Sequence, residues 1–175
     1  MQLYVMRHGI AEDRDAAPGR PDGDRPLTER GRRRVRAIAR GMKGLGVSFE
    51  AIWTSPLLRA RQTADGVAEV YGMESAVEEC PALQPGGDPR LLVRTLLERP
   101  VPVEGVLLVG HEPDAGELVS LLVTGRTSSE FRMKKGGVCA LSAERLEAGA
   151  CARLEWLLAP RHWIAIAGED RDATE

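Results

Sequence analysis

Hydrophobic positions along this chain switch repeatedly between short unbroken runs and helical stripes. Leu3-Tyr4-Val5-Met6 is apolar throughout and predicts a buried strand that ends at Arg7-His8-Gly9. Between Ala11 and Pro26 the chain is crowded with Asp, Arg, Pro and Gly, which cannot bury a continuous face, so a solvated connection is expected. From Thr28, a natural cap, the period becomes helical. Val35, Ile38, Ala39, Met42 and Leu45 fall on one stripe, with Gly44 or Gly46 as the stop. Ala51 to Thr54 predicts a second strand, and Ser55-Pro56 places a capping hydroxyl before a proline at the first helical position. The stripe of that helix is Leu57, Ala60, Ala64, Val67, Ala68 and Tyr71. Arg59 lies off it, near the strand end, available to a ligand.

The alternation continues. Ser75-Ala76-Val77 predicts a short strand, Pro81 to Pro89 a loop, and Pro89 to Glu98 a helix. Val106-Leu107-Leu108-Val109 is the clearest buried strand and runs into Gly110-His111-Glu112-Pro113. Asp114 and Glu117 have capping-box spacing before a stripe of Ala115, Leu118, Val119 and Leu122. After Gly125 the pattern becomes two strands, Val138 to Leu141 and Ala152 to Leu158, joined by a turn at Glu147-Ala148-Gly149. The charged end after Gly168, the last seven or so residues, is expected to fray. Strand and helix alternating in this way imply an α/β fold: a three-layer α/β/α sandwich on a mostly parallel central sheet, with an antiparallel edge from the last strands.

At 175 residues, without an internal repeat or a linker, the chain is expected to be one domain spanning 1–175. Its 43% hydrophobic and 29% charged residues are a globular composition. Lys and Arg number 24 against 26 Asp and Glu, so no global positive field invites nucleic acid or an anionic membrane, and any anion site must be local. Cys80, Cys139 and Cys151 form no CxxC pair and are expected to be buried, reduced thiols. Arg7 comes too early for a signal peptide and no apolar run approaches the ~18 residues of a membrane span, so the cytoplasm is the expected compartment.

Ligands of open α/β sheets bind beyond the carboxyl ends of strands. Three such ends carry Arg7-His8-Gly9, Ser55 through Arg59, and Gly110-His111, so two of the three histidines and two arginines can converge. Gly9 and Gly110 can supply tight turns or close backbone approach. Guanidinium forks match phosphate oxygens and stabilise the charge that spreads in phosphoryl transfer, so a phosphoryl group is the expected ligand. A histidine among arginines is held neutral and keeps the lone pair a nucleophile needs, which suits His8. A metal is disfavoured by the adjacent guanidinium charge, and neither GxxxxGK[ST] nor GxGxxG is present. Arg32, Arg33, Arg36 and Arg40 read as the wet face of their helix.

Leu3-Tyr4-Val5-Met6-Arg7-His8-Gly9, Arg25-Pro26-Leu27-Thr28-Glu29-Arg30-Gly31, Thr54-Ser55-Pro56-Leu57-Leu58-Arg59-Ala60-Arg61-Gln62-Thr63-Ala64 and Val109-Gly110-His111-Glu112-Pro113 together resemble the signature of the histidine phosphatase superfamily, also called phosphoglycerate-mutase-like. The short chain, Met-Arg-His-Gly without a following Trp-Asn, and Pro81 through Asp88 are most similar to its SixA-type phosphohistidine phosphatases. The resemblance implies a phosphoglycerate-mutase-like fold and a metal-independent phosphatase without cofactor. His8 would be the phosphorylated nucleophile, Arg7, Arg59 and His111 would surround the phosphoryl oxygens, and Arg25 would be a further phosphate ligand. It also implies a phosphorylated substrate, such as a phosphohistidine-containing protein, and leaves the oligomeric state open. The alternatives are a small-molecule phosphomonoesterase or mutase on the same scaffold, or a non-catalytic phosphoprotein-binding domain. No clear proton donor is present; Asp88, Glu12 and Asp13 are the stand-ins, and a nitrogen leaving group would need none. Two positions depart from the pattern: Arg34 stands where many relatives carry glutamine, and Glu112 where asparagine is frequent. Glu112 is expected to raise the pKa of His111.

Overall fold

The computed structural model describes residues 1–98, 104–128 and 131–169. Its strands are β1 (Gln2–Arg7), β2 (Ala51–Thr54), β3 (Val77–Glu79), β4 (Gly105–Gly110), β5 (Val138–Ala143) and β6 (Ala152–Leu158). The helices are α1 (Glu29–Gly44), α2 (Leu58–Tyr71), α3 (Pro89–Glu98), α4 (Asp114–Thr124) and α5 (Pro160–Ile166). They build one mixed sheet in the order β3-β2-β4-β1-β5-β6. The first three pairings are parallel and the last two antiparallel, so β5 alone runs against the rest.

Successive side chains of a strand point to opposite faces, and each central strand here is apolar on both. Tyr4, Met6, Ile52, Leu107, Val109, Val138 and Ala140 pack under α1, α2 and α5. Leu3, Val5, Ala51, Trp53, Val106, Leu108, Cys139 and Leu141 pack under α3 and α4. The expected three-layer architecture results from that double-sided burial. The connection after β1 therefore leaves to one face and that after β4 to the other, although the two strands are hydrogen-bonded neighbours. A crevice opens where adjacent strands diverge in this way.

Several local expectations need correction. Thr28 caps α1 through Gly31 N–H (2.9 Å), but Leu45 lies beyond the last turn and is exposed. Helix α2 starts at Leu58, not at Pro56, because Ser55 still extends the sheet by donating its N–H to Val109 O. Asp114 and Glu117 form no capping box: Pro113 is the cap, and Asp114 Oδ1 instead accepts from Gly86 N–H. The strand expected at Ser75 begins at Val77, behind a 3-10 turn over Glu74–Ala76. No sequence pattern predicts helix α5; its seven residues bury only Pro160, Trp163 and Ile164, too few for a stripe. The end expected to fray lies, from residue 170, outside the described residues.

Cys80 and Cys139 are buried thiols as expected, whereas Cys151 is half-buried. The wet face of α1 is confirmed by surface ion pairs of Arg32 and Arg33 with Glu29, Arg36 with Glu69, and Arg40 with Glu169.

Candidate active site

Sheet register brings the two histidines together. Arg7 is opposite Gly110 across the β1–β4 pair, and His8 N–H donates to Gly110 O at 3.0 Å. His8 and His111, one step further along each strand, stand side by side with ring centroids 5.1 Å apart. Both are buried, at 7% and 3% exposure. Strand β2 reaches the same edge from the other side of β4, and its Ser55 Oγ lies 2.9 Å from His111 Nε2. Sequence reasoning takes this hydroxyl for a helix cap; it does contact Leu57 N–H (3.3 Å), but its short bond is to the imidazole.

His8 Nδ1 is 2.7 Å from the carbonyl oxygen of Gly9. A carbonyl only accepts, so Nδ1 holds the ring proton and Nε2 carries the lone pair. Burial pushes the pKa of His8 down to about 3, against the pull of the Gly9 carbonyl, with His111, Arg59 and Arg7 adding to the depression. His111 is lowered to about 4, by burial first and then by Arg59. The expectation that Glu112 raises the pKa of His111 is thus overturned. The carboxylate that opposes the depression is Asp22, while Glu112 turns its Oε1 to Met133 N–H at 2.5 Å.

Arg7 and Arg59 reach the pair from different elements. Arg7 leaves the end of β1 and donates from Nη1 to Met133 O (2.8 Å), a segment fastened further by Gly136 N–H to the Arg7 and His8 carbonyls. Arg59, 4% exposed in the first turn of α2, donates from Nη1 to Asp22 O (2.8 Å) and from Nη2 to Asp22 Oδ2 (3.1 Å). Desolvation lowers the pKa of both guanidiniums, opposed by Glu112 at Arg7 and by Asp22 at Arg59. Arg25 joins through the same carboxylate, with Nε 2.8 Å from Asp22 Oδ1 and Nη1 on Glu12 O. It forms the loop salt bridge, and its charge also reaches His111.

Three buried nitrogens of this group, Arg7 Nε, Arg59 Nε and His111 Nδ1, have no hydrogen-bond partner among the described residues. Leaving a buried polar group unpaired costs about 1–3 kcal/mol, so three in one cluster mark a site that asks for a polar ligand, and the two guanidinium Nε–H groups ask for an acceptor.

Residues unassigned by the sequence hold the cluster in place. Thr63 Oγ1, wholly buried, accepts Gly9 N–H at 3.0 Å and donates to Arg59 O at 2.6 Å, tying the β1 loop to α2. Gly9 is tightly packed, since a Cβ there would lie 2.8 Å from Val35, while a Cβ on Gly110 would meet only ordinary contacts; the expected need for glycine holds at the first position alone. Sequence reasoning misses Asp22, whose only local signal is the three-residue spacing to Arg25. The stand-in acids are engaged or exposed: Asp88 is exposed and accepts Arg90 N–H, the Glu12 carboxylate pairs with Arg20, and Asp13 is exposed. Among the described residues, no three His, Cys, Asp or Glu side chains gather as a metal site would require.

Residues 3–84 match the family described as histidine phosphatase superfamily (branch 1). Over 163 residues the chain is 33% identical to phosphohistidine phosphatase SixA of Escherichia coli K12, covering 91% of this chain and 94% of that protein. A Picosynechococcus protein is 40% identical over 169 residues, 94% and 99% of the two chains. The solved structure of protein histidine phosphatase SixA complexed with tungstate is similar with a TM-score of 0.79 at 30% identity, over 92% of this chain and 98% of that one. The α-ribazole phosphatase of Shigella flexneri shares the fold at 20% identity, with a TM-score of 0.65 over 91% and 97% of the chains.

Proposed function

Because the chain belongs to the histidine phosphatase superfamily and is a phosphatase, we propose that it removes the phosphoryl group of phosphohistidine from a protein by way of a covalent phosphohistidine on His8. The observation that carries this reading is the bond from His8 Nδ1 to Gly9 O, which leaves the Nε2 lone pair free inside a cationic pocket. Nε2 attacks phosphorus as the substrate's P–N bond breaks, and that bond's electron pair leaves with the substrate imidazole. Water then attacks the phosphorus of phospho-His8, the new P–N bond breaks, and phosphate departs with the surplus proton passing to solvent. His8 keeps its Nδ1 proton throughout and leaves the second step as neutral imidazole. Arg7, Arg59, His111 and Arg25 hold the equatorial oxygens in both steps, where developing charge is best met by fixed donors.

The substrate class rests on proton accounting. Desolvation is the largest single influence on Asp22 and raises its pKa, but the bond from Arg25 and the charges of Arg59, Arg25 and Arg14 together outweigh it and hold the carboxyl below the ordinary range, so it carries no proton to donate at neutral pH. An imidazole already protonated on its other nitrogen leaves as a neutral molecule without help, whereas an alkoxide does not. One observation favours the second reading, a small-molecule phosphomonoesterase: burial raises the pKa of Glu112, which lies near enough to Arg7 to feel its charge. The backbone N–H groups of Met133 and Gly116 oppose that rise by bonding the ionised form.

The test compares kcat/KM for a phosphohistidine protein with that for 3-phosphoglycerate and phosphoserine, in the natural protein and in Glu112→Gln. Preference for the phosphoramidate, retained in Glu112→Gln, supports the proposal. Preference for an ester that collapses in Glu112→Gln supports the second reading.

A further inference from the structure

The loop between β1 and α1 delivers one carboxylate into the middle of the arginines. Asp22 Oδ1 lies 2.8 Å from Arg25 Nε and 3.1 Å from Arg14 Nε, and Oδ2 lies 3.1 Å from Arg59 Nη2. Its main-chain oxygen takes the Nη1 proton of Arg59, so Asp22 occupies the outward-facing fork of that guanidinium. Arg59 retains the buried Nε–H, without a partner among the described residues, for another acceptor. The side chain of Arg59 is 5% exposed and that of Asp22 40%, so the carboxylate stands between the buried cation and solvent. Its field also extends to His111, whose charged form it favours.

We propose that Asp22 is a specificity-determining residue, a fixed negative charge at the rim of the phosphoryl pocket that selects against substrates whose leaving group carries a further negative charge. The inference rests on the phosphoryl-pocket reading above and deepens it. A phosphoryl group seated against Arg59 Nε and the histidines must direct its leaving group past the rim, where the outer fork of Arg59 is already taken. A neutral or cationic group, such as a protonated imidazole, passes a carboxylate without penalty. A carboxylate or second phosphate is repelled and is denied the fork that would otherwise bind it. Charge of this kind gives discrimination more than affinity, by disfavouring the wrong partner.

The probes are phenylphosphonate and 4-carboxyphenylphosphonate, which present the same non-hydrolysable phosphoryl mimic and differ by one distal charge. Their dissociation constants are measured by calorimetry against the natural protein, Asp22→Asn and Asp22→Glu. Over a separation of roughly 6 Å and an effective dielectric of about 40, between the protein-surface and bulk-water values, removing one unit charge shifts relative affinity by about tenfold. Asp22→Asn is therefore expected to improve the ratio in favour of the carboxylated ligand by about that factor, while Asp22→Glu keeps the natural ratio. A purely structural role for Asp22 would change both ligands alike. An unchanged ratio in Asp22→Asn, or a shift the other way, overturns the proposal. Failure of both ligands to bind any of the three proteins overturns the phosphoryl-pocket reading itself.

Discussion

Acidification perturbs the neutral histidine pair directly. His8 titrates at about 3 in the folded chain against an ordinary 6.5, so between those values the unfolded chain binds a proton that the folded chain does not. Stability contributed by the neutral ring is fully present above pH 6.5 and is lost as pH falls through that window towards 3. At about 1.4 kcal/mol per pH unit, moving from pH 7 to pH 4 costs on the order of 3 kcal/mol from His8 alone. His111, lowered to about 4, adds a loss of the same sign. Urea unfolding at pH 7, 6, 5 and 4, monitored by circular dichroism, reads the slope. His8→Gln should flatten it by up to about 1.4 kcal/mol per pH unit between pH 4 and 6. Ring-nitrogen NMR of the natural protein should show His8 protonated on Nδ1 alone across the same range. A slope identical in His8→Gln, or a His8 ring that titrates near pH 6.5, would refute the reasoning.

Other substitutions test the supports. Arg59→Ala should cost about 10²-fold in kcat, on the order of 3 kcal/mol, and Arg59→Lys should restore only part of it because the fork is lost; steady-state kinetics on a phosphohistidine protein decides. Thr63→Val leaves the buried Gly9 N–H without its acceptor and should lower unfolding free energy by about 1–3 kcal/mol in urea titration. Gly31→Ala sets a Cβ 2.0 Å from Ile10 O and should destabilise by a similar 1–3 kcal/mol, detected as a reduced Tm.

The centre of the sheet was legible because β1, β2 and β4 are short, largely apolar runs, and one as apolar as Val106 to Val109, bounded by glycines, fits a strand buried on both faces. Register then did the rest: once β1 and β4 are neighbours, His8 and His111 meet. The features that resisted reading each have a physical cause. Asp22 lies in a polar loop without a period, and a salt bridge across 37 residues to Arg59 leaves no local trace. Ser55-Pro56 obeys the local rule for a helix start, yet the ladder bond to Val109 and the imidazole of His111 outweigh it. Glu112 comes directly after His111 in sequence, but it lies beyond the strand end, in the turn before α4, and its carboxylate fastens the Met133 segment instead. Helix α5 packs where Gly41 lets the Trp163 backbone approach, a tertiary fit invisible to periodicity.

The central claim is that the Nε2 atom of His8 takes the phosphoryl group. Rapid quenching of the protein during turnover of a phosphohistidine substrate, with peptide mass spectrometry under alkaline conditions, reads this directly. The account predicts one phosphoryl group on the peptide containing His8, stable in alkali, labile in acid and absent from His8→Ala, which should not turn over. Sustained turnover by His8→Ala, or a phosphoryl group found on any other residue, would contradict it.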